Sequence, residues 1–70
     1  MKIHYIKDND LPDSDDYTDK LLFVEDNTYN SGYKNEIGFY RNDANGFDNC
    51  EHGWVQGNVI AWCDIHPLYK

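Results

Sequence analysis

Two cysteines and two histidines in the second half of the sequence are the residues best suited to chemistry. Cys50 and His52 lie two positions apart, and Cys63 and His66 lie three apart. Two thiolates and two imidazoles form the ligand set of a structural zinc site. Residues three apart in a strand point to opposite faces unless a turn intervenes, so the spacing does not favour such a site. We predict no metal or other cofactor, with zinc on these four residues as the alternative, and expect Cys63 to be a small buried apolar residue.

Nucleophilic and acid–base side chains show no catalytic pattern. Ser14 and Ser31 are the only serines, and each stands in a polar stretch without a base motif beside it. Carboxylates are abundant, but a polar loop is not a pocket that perturbs their pKa values. A chain of 70 residues also leaves little volume for a substrate cavity of about 300 Å³ or more. The sequence therefore predicts a protein that is not an enzyme.

The charge balance separates the classes of partner. Thirteen acidic residues against six basic ones give a formal net charge of −7. Nucleic-acid binding needs clustered lysines and arginines that contact phosphates, so direct binding to nucleic acid is not expected. An anionic membrane surface is disfavoured for the same reason, and no apolar run approaches the ~20 residues that span a bilayer. A partner with a basic surface is compatible with this charge, and so is an acidic surface that serves solubility alone.

Cysteine usage and the N-terminal residues indicate the compartment. Two cysteines are too few for the disulfide scaffold of a secreted protein. The N-terminal residues have neither a long apolar core nor a small-residue cleavage site, so they do not form a signal peptide. We expect a cytoplasmic protein with reduced thiols, and a disulfide between Cys50 and Cys63 is the alternative.

Acidic residues and tyrosines supply the candidate contact surface. The stretch 8–19 holds six aspartates around Pro12. Five tyrosines, one of them in this stretch, stand among Asp, Asn and Glu: Tyr17, Tyr29, Tyr33, Tyr40 and Tyr69. Tyrosine is enriched in interface cores because it combines a large area with a polar tip. Acidic side chains near it would steer a basic partner. The candidate partner-binding residues are therefore Asp13, Asp15, Asp16, Tyr17, Tyr29, Tyr33 and Tyr40. The alternative is that two or three of the tyrosines simply cover an exposed sheet face.

The elements that must position these residues are short strands. Residues 3–7, 21–25, 34–41 and 58–65 are rich in β-branched and aromatic residues, which is typical of strands. An Asn-Gly pair in 42–46 predicts a tight hairpin turn, and residues 15–20 have room for one helical turn. We predict a mainly β protein, with residues 1–70 forming one small domain around a four- to five-stranded, antiparallel, meander-like sheet. A lone sheet of this size leaves one face poorly covered, so aromatic side chains or a partner must cover it.

Alternation within the strands predicts which residues share a face. In 34–41, Ile37 and Phe39 lie on one face and Tyr40 on the other. In the last strand Val59, Ala61 and Cys63 share one face, and Ile60 and Trp62 take the opposite one. The apolar run 21–25 is nearly continuous, which favours a central strand covered on both faces.

Three segments together carry a family resemblance. They are Asp10-Leu11-Pro12, Leu21-Leu22-Phe23-Val24 and the stretch from Val59 to Leu68, which includes Trp62 and Pro67. In order and spacing they resemble a small family, frequent in phages and prophages, known as domain of unknown function 551. Tyr5 stands where the family has an opening tryptophan, and the closing Leu-Pro repeat is reduced. The resemblance implies a viral or mobile-element origin and a compact β-rich fold, and it implies no reaction.

These observations lead to two functional hypotheses. The first is a small, acidic, non-enzymatic protein of phage type that binds and inhibits a host protein with a basic surface in the bacterial cytosol. Its target would be a nucleic-acid-binding defence factor, such as a restriction or CRISPR nuclease. The alternative is a self-associating structural or accessory phage protein, a homodimer without a host target.

Overall fold

The computed structural model describes residues 2–49 and 53–65. These residues form one antiparallel sheet of six strands with almost no helix, which confirms the mainly β prediction. The strands are β1 (His4–Tyr5), β2 (Lys20–Glu25), β3 (Tyr33–Arg41), β4 (Gly46–Asn49), β5 (Gly53–Trp54) and β6 (Asn58–Asp64). A short 3₁₀ helix, Ile6–Asp8, follows β1. The predicted count of four or five strands is close: β1 lies within the predicted strand 3–7, and the short strands β4 and β5 account for the difference.

The strand order is β1-β6-β2-β3-β4-β5. Strands β2 to β5 form a meander, as predicted, but β6 returns to lie between β1 and β2. The β3–β4 hairpin closes at the predicted turn, where Asn45 has a φ of 54° and Gly46 follows it. Asparagine tolerates this left-handed conformation better than other residues with a side chain. Residues 15–20 do not form the helical turn considered above, because β2 already begins at Lys20.

One face of the sheet, the core face, holds the hydrophobic core. Its buried cluster consists of Leu22, Val24, Tyr40, Phe47 and Trp62. The chain between β1 and β2 lies over this face, since Leu11 packs against the cluster and Pro12 is buried. On the same face an added Cβ at Gly38 would lie 2.7 Å from the carbonyl oxygen of Asp48. A glycine is therefore required where β3 approaches β4 so closely.

Strand β6 contains one residue more than the β2 segment it pairs with. Phe23 pairs with Ala61, but Val24 pairs with Val59, so Ile60 has no partner in β2. Such a β-bulge shifts the alternation of side chains between the two faces. Val59 consequently packs against the core cluster that contains Trp62. The prediction that Val59 shares a face with Ala61 is wrong, because simple alternation does not account for an inserted residue.

Strand β2 is central, but its two faces differ in burial. Leu22 and Val24 are fully buried on the core face, whereas Leu21 and Phe23 on the other face are only partly buried. The expectation of a strand covered on both faces therefore fails for the described part of the chain. In the part of the chain that the structure describes, the second face of the sheet is the more exposed one.

Candidate protein-binding surface

The second face of the sheet, here called the open face, carries a continuous set of apolar side chains. The strand registers place them together: Leu21 lies between Ile37 and Cys63, and Phe23 lies beside Ala61. Tyr5 follows on the far side of Ala61. The apolar side chains of the open face are Tyr5, Leu21, Phe23, Tyr33, Ile37, Phe39, Ala61 and Cys63. The polar Asn35 lies among them opposite Phe23, and Asp48 and Trp54 continue the same side of the sheet towards β5.

Side chains of the open face are far more exposed than those of the core. Tyr33 is 56% exposed and Ile37 is 44% exposed, whereas no residue of the core cluster exceeds 7%. Leu21, Phe23 and Phe39 are partly buried, and the small Ala61 and Cys63 are buried among larger neighbours. Single exposed apolar residues are common, but a contiguous set that spans several strands is typical of an interaction site.

Three cations of the described chain are each held by two carboxylates. Lys34 lies 3.2 Å from Asp26 and 3.4 Å from Glu36. Hydrogen bonds to the carboxylates of Asp43 and Asp48 raise the pKa of Arg41. Lys20 is the third case. Because every one of these cations is outnumbered by its own partners, the surrounding surface stays acidic and suits a basic partner.

Lys20 is the most deeply buried of these cations, at 1% exposure on the core face. Its ammonium donates to Asp16 at 2.8 Å and also to Asp64, and it lies 5.3 Å from the ring centroid of Trp62. Burial opposes the charged form, but the hydrogen bonds to the two carboxylates outweigh it and raise the pKa of Lys20. Hydrogen bonds that the Asp16 carboxylate accepts from Lys20 and Thr18 lower the pKa of Asp16 to about 2.

His4 and Asp10 form a second polar cluster around Trp62. The imidazole of His4 stacks on the indole with centroids 4.1 Å apart, and its Nδ1 lies 2.8 Å from the Asp10 carboxylate. The indole Nε1 donates to the main-chain oxygen of Asp10 at 2.7 Å. These contacts fasten β1 and the acidic loop to the core, so we assign them a structural role. Sequence reasoning missed this cluster, because His4 and Trp62 are 58 positions apart.

The structure divides the predicted acidic contact residues by role. Asp13, Asp15 and Tyr17 are exposed in the loop that lies over the core face. Asp16 faces inward to Lys20, and its carboxylate also accepts hydrogen bonds from the main chain and hydroxyl of Thr18. Asp16 is therefore a structural residue, while Asp13 and Asp15 are available to a partner on the side opposite the open face.

The other predicted tyrosines do not lie on one surface either. Tyr33 lies on the open face, and Tyr29 is exposed in the β2–β3 turn, 5.6 Å from the ammonium of Lys34. Tyr40 is only 6% exposed and packs against Phe47 with ring centroids 5.2 Å apart. Tyr40 is part of the core, because alternation along β3 points its side chain to the face opposite Tyr33.

The zinc alternative falls largely on residues whose placement is not described. Cys50, His52 and His66 lie outside the described residues, and so does the Cys50 half of the alternative disulfide. Cys63 is fully buried on the open face between Leu21 and its neighbours. Among the residues that are described, no group of three or more His, Cys, Asp or Glu side chains could hold a metal ion.

Among residues 2–49 and 53–65, the structure shows no helix with the length and apolar character of a membrane-spanning segment.

Comparison with known proteins gives no match: no model of a protein family, no curated protein and no solved structure matches this chain. The resemblance to domain of unknown function 551 therefore stays a prediction.

Proposed function

We propose that this chain is a small, acidic, non-enzymatic protein that binds another protein through the open face. The observation that carries the proposal is the partly exposed apolar surface on the side of the sheet opposite the main core cluster. Tyr5, Tyr33 and Ile37 are its exposed anchors. Aromatic and aliphatic anchors of this kind contribute most of the binding energy in protein interfaces.

Charge defines the kind of partner. The net charge of −7 attracts a basic surface over long range. The carboxylates around Lys20, Lys34 and Arg41 contribute to this attraction, because they outnumber the cations they hold. In this proposal the aspartates of the acidic loop act mainly on the rate of encounter, since they lie on the side opposite the open face. Apolar contacts on the open face then determine how long the complex lasts.

The setting that we propose is the cytosol of a bacterial host. The family resemblance supports a phage or mobile-element origin, and the acidic charge supports a target that normally holds nucleic acid in a basic groove. By occupying that groove, the protein would inhibit a defence nuclease without binding nucleic acid itself.

Self-association is a second candidate, and the open face also favours it. Two open faces packed together would cover the apolar side chains of both copies. The charge of −7 on each copy opposes this arrangement at low salt and is screened at high salt. A homodimer of this kind should therefore tighten as ionic strength rises, whereas a complex with a basic partner should weaken.

Affinity capture from a host lysate tests the proposal with two matched variants. Tyr33→Ala removes an anchor of the open face, and Tyr17→Ala removes a tyrosine of equal exposure, 59% against 56%, on the opposite side. We expect the wild type and Tyr17→Ala to capture one basic partner, and Tyr33→Ala to capture at least tenfold less of it. Capture that Tyr17→Ala abolishes and the open-face variant retains would refute the assignment of the surface.

Binding kinetics test the role assigned to charge. Asp13→Asn with Asp15→Asn should slow association roughly threefold and reduce its salt dependence, while dissociation stays unchanged. Asp16 is left intact in this variant because it holds Lys20. Faster dissociation in the Asp13 and Asp15 variant would instead place the acidic loop in direct contact with the partner. Self-association would be supported if the capture recovers only a second copy of the chain and if Ile37→Asp abolishes that dimer.

A further inference from the structure

A surface groove with a volume of about 530 Å³ lies against the core and reaches the edge of the sheet at β5. Its floor includes the rings of Tyr40 and Phe47, and its walls come from the 3₁₀ helix, the β3–β4 turn and the segment that joins β5 to β6. Small-molecule sites in proteins have volumes of ~300–1,000 Å³ and combine an apolar floor with a few polar groups. The groove is therefore large enough for a ligand.

The described lining of the groove contains no charged residue. This is unusual for a chain in which 27% of the residues are charged. An anionic ligand would find no cation among the described lining residues and would be repelled by the net charge of −7. A cationic ligand would find no carboxylate among the same residues to pair with. The lining therefore fits an uncharged ligand.

Three asparagines, Asn9, Asn45 and Asn58, supply the polar part of the lining. All three are exposed, and none has a side-chain hydrogen bond to another described residue. Asn9 and Asn45 have φ values of 56° and 54°, and they are the only described residues other than glycine with positive φ. Each carboxamide both donates and accepts hydrogen bonds, so the groove presents paired donors and acceptors to a ligand that has both.

Trp54 adds a flat apolar wall. Its indole is 48% exposed and lies close over Gly46, where an added Cβ would be 3.2 Å from the ring. The guanidinium of Arg41 lies 5.7 Å from the ring centroid and helps to hold the indole in place. An exposed indole offers a surface on which the apolar face of a ring can stack.

We propose that this groove binds a neutral sugar, either free or as one unit of a polysaccharide. A sugar ring has hydroxyls that donate and accept, which match carboxamides, and a C–H face that stacks on an aromatic ring. It carries no charge, in agreement with the lining. This site is distinct from the proposed protein-binding surface, because none of its lining residues is an apolar anchor of the open face.

Titration followed by two-dimensional amide NMR tests the sugar site. The probes are glucose, N-acetylglucosamine and maltotriose, with anionic glucuronate and cationic glucosamine for comparison. We expect saturable shifts at Asn9, Asn45, Asn58 and the Trp54 indole with a neutral sugar, at a Kd of roughly 1–10 mM. Glucuronate should bind at least tenfold more weakly. Tighter binding of maltotriose than of glucose would identify a polysaccharide as the source, and equal binding would identify a single ring.

Two variants show whether the groove residues are responsible. Asn45→Gly removes the carboxamide but suits the left-handed backbone, so it should fold normally and bind the sugar at least tenfold more weakly. Asn30→Gly, in the β2–β3 turn, is the matched control and should bind like the wild type. The proposal is overturned if no neutral sugar gives saturable shifts at ~50 mM, if Asn45→Gly binds as tightly as the control, or if glucuronate binds as tightly as glucose.

Discussion

The ion pair between Asp16 and Lys20 makes the stability of the fold depend on pH in a defined window. Hydrogen bonds from Lys20 and Thr18 lower the pKa of Asp16 from 3.8 to about 2. A group whose pKa is lower in the folded chain stabilises the fold while it is ionised in both states. The contribution is therefore fully present above pH 3.8 and is lost as the pH falls towards 2.

The size of this contribution follows from the pKa. Lowering a pKa from 3.8 to about 2 corresponds to about 2.5 kcal/mol, at about 1.36 kcal/mol per pH unit. The side chain of Asp16 is 33% exposed, and solvent screens an ion pair at that exposure. We therefore expect Asp16→Asn to lower the free energy of unfolding by about 1–2 kcal/mol at pH 6. Asparagine retains an oxygen that accepts from Thr18, so the substitution chiefly removes the charge.

Urea unfolding followed by far-UV circular dichroism at pH 6, 4 and 2 measures the effect. The destabilisation by Asp16→Asn should persist at pH 4 and disappear near pH 2, where the wild-type carboxylate takes up a proton. Asp15→Asn removes the same charge from the exposed neighbouring residue and should stay within about 0.5 kcal/mol of the wild type. A destabilisation by Asp16→Asn that is equally large at pH 2 and pH 6 would refute the reasoning, because it could not arise from the ionised carboxylate.

Three further substitutions test the fold, each by urea unfolding at neutral pH. Leu22→Ala should lower the free energy of unfolding by about 3 kcal/mol because Leu22 is fully buried. Ile37→Ala, on the open face, should lower it by less than about 1 kcal/mol. Equal losses would contradict the assignment of the two faces. Gly38→Ala should cost about 2 kcal/mol or more, since the new Cβ would lie 2.7 Å from the Asp48 carbonyl oxygen, and an unchanged midpoint would show that β4 moves away. Trp62→Phe loses a hydrogen bond from the indole to a main-chain oxygen and should cost about 1–3 kcal/mol; a neutral result would show that this bond does not hold the acidic loop.

The main strands could be predicted from sequence because their signals are local. The predicted strands 21–25, 34–41 and 58–65 each differ from β2, β3 and β6 by one residue at one end. Runs of β-branched and aromatic residues and the Asn-Gly turn at 42–46 are read within a few positions. The predicted strand 3–7 contains β1, which is only two residues long. Strand β5 also has two residues and forms only through pairing with β4, so no local pattern reveals it.

The place of β6 in the sheet and its bulge are also non-local properties. Its insertion between β1 and β2 depends on contacts between residues more than 30 positions apart. The extra residue, Ile60, depends on the register between Phe23 and Val24 and their partners. Neither composition nor spacing within the last strand specifies that register.

The candidate surface was only partly predictable. Tyr33 and Tyr40 are seven positions apart on one strand, so alternation alone assigns them to opposite faces. That signal was sufficient to divide the predicted tyrosine set. Which face would be covered was not predictable, because it depends on where the loop with Leu11 and Pro12 folds back. Leu21, Phe23 and Ile37 of the open face were predicted to lie in strands, but the sequence did not predict that they form one surface.

The two tryptophans lie in contrasting environments, and this gives the protein two independent optical reporters. Trp62 is enclosed by the core, His4 and Lys20, whereas Trp54 is half exposed at the groove. An indole shielded from water emits at shorter wavelength than one in contact with it. In Trp54→Phe, intrinsic fluorescence would report only on the unfolding of the core, and in Trp62→Phe it would report only on events at the groove. The two single-tryptophan variants could then follow the core and the groove separately, without an added label.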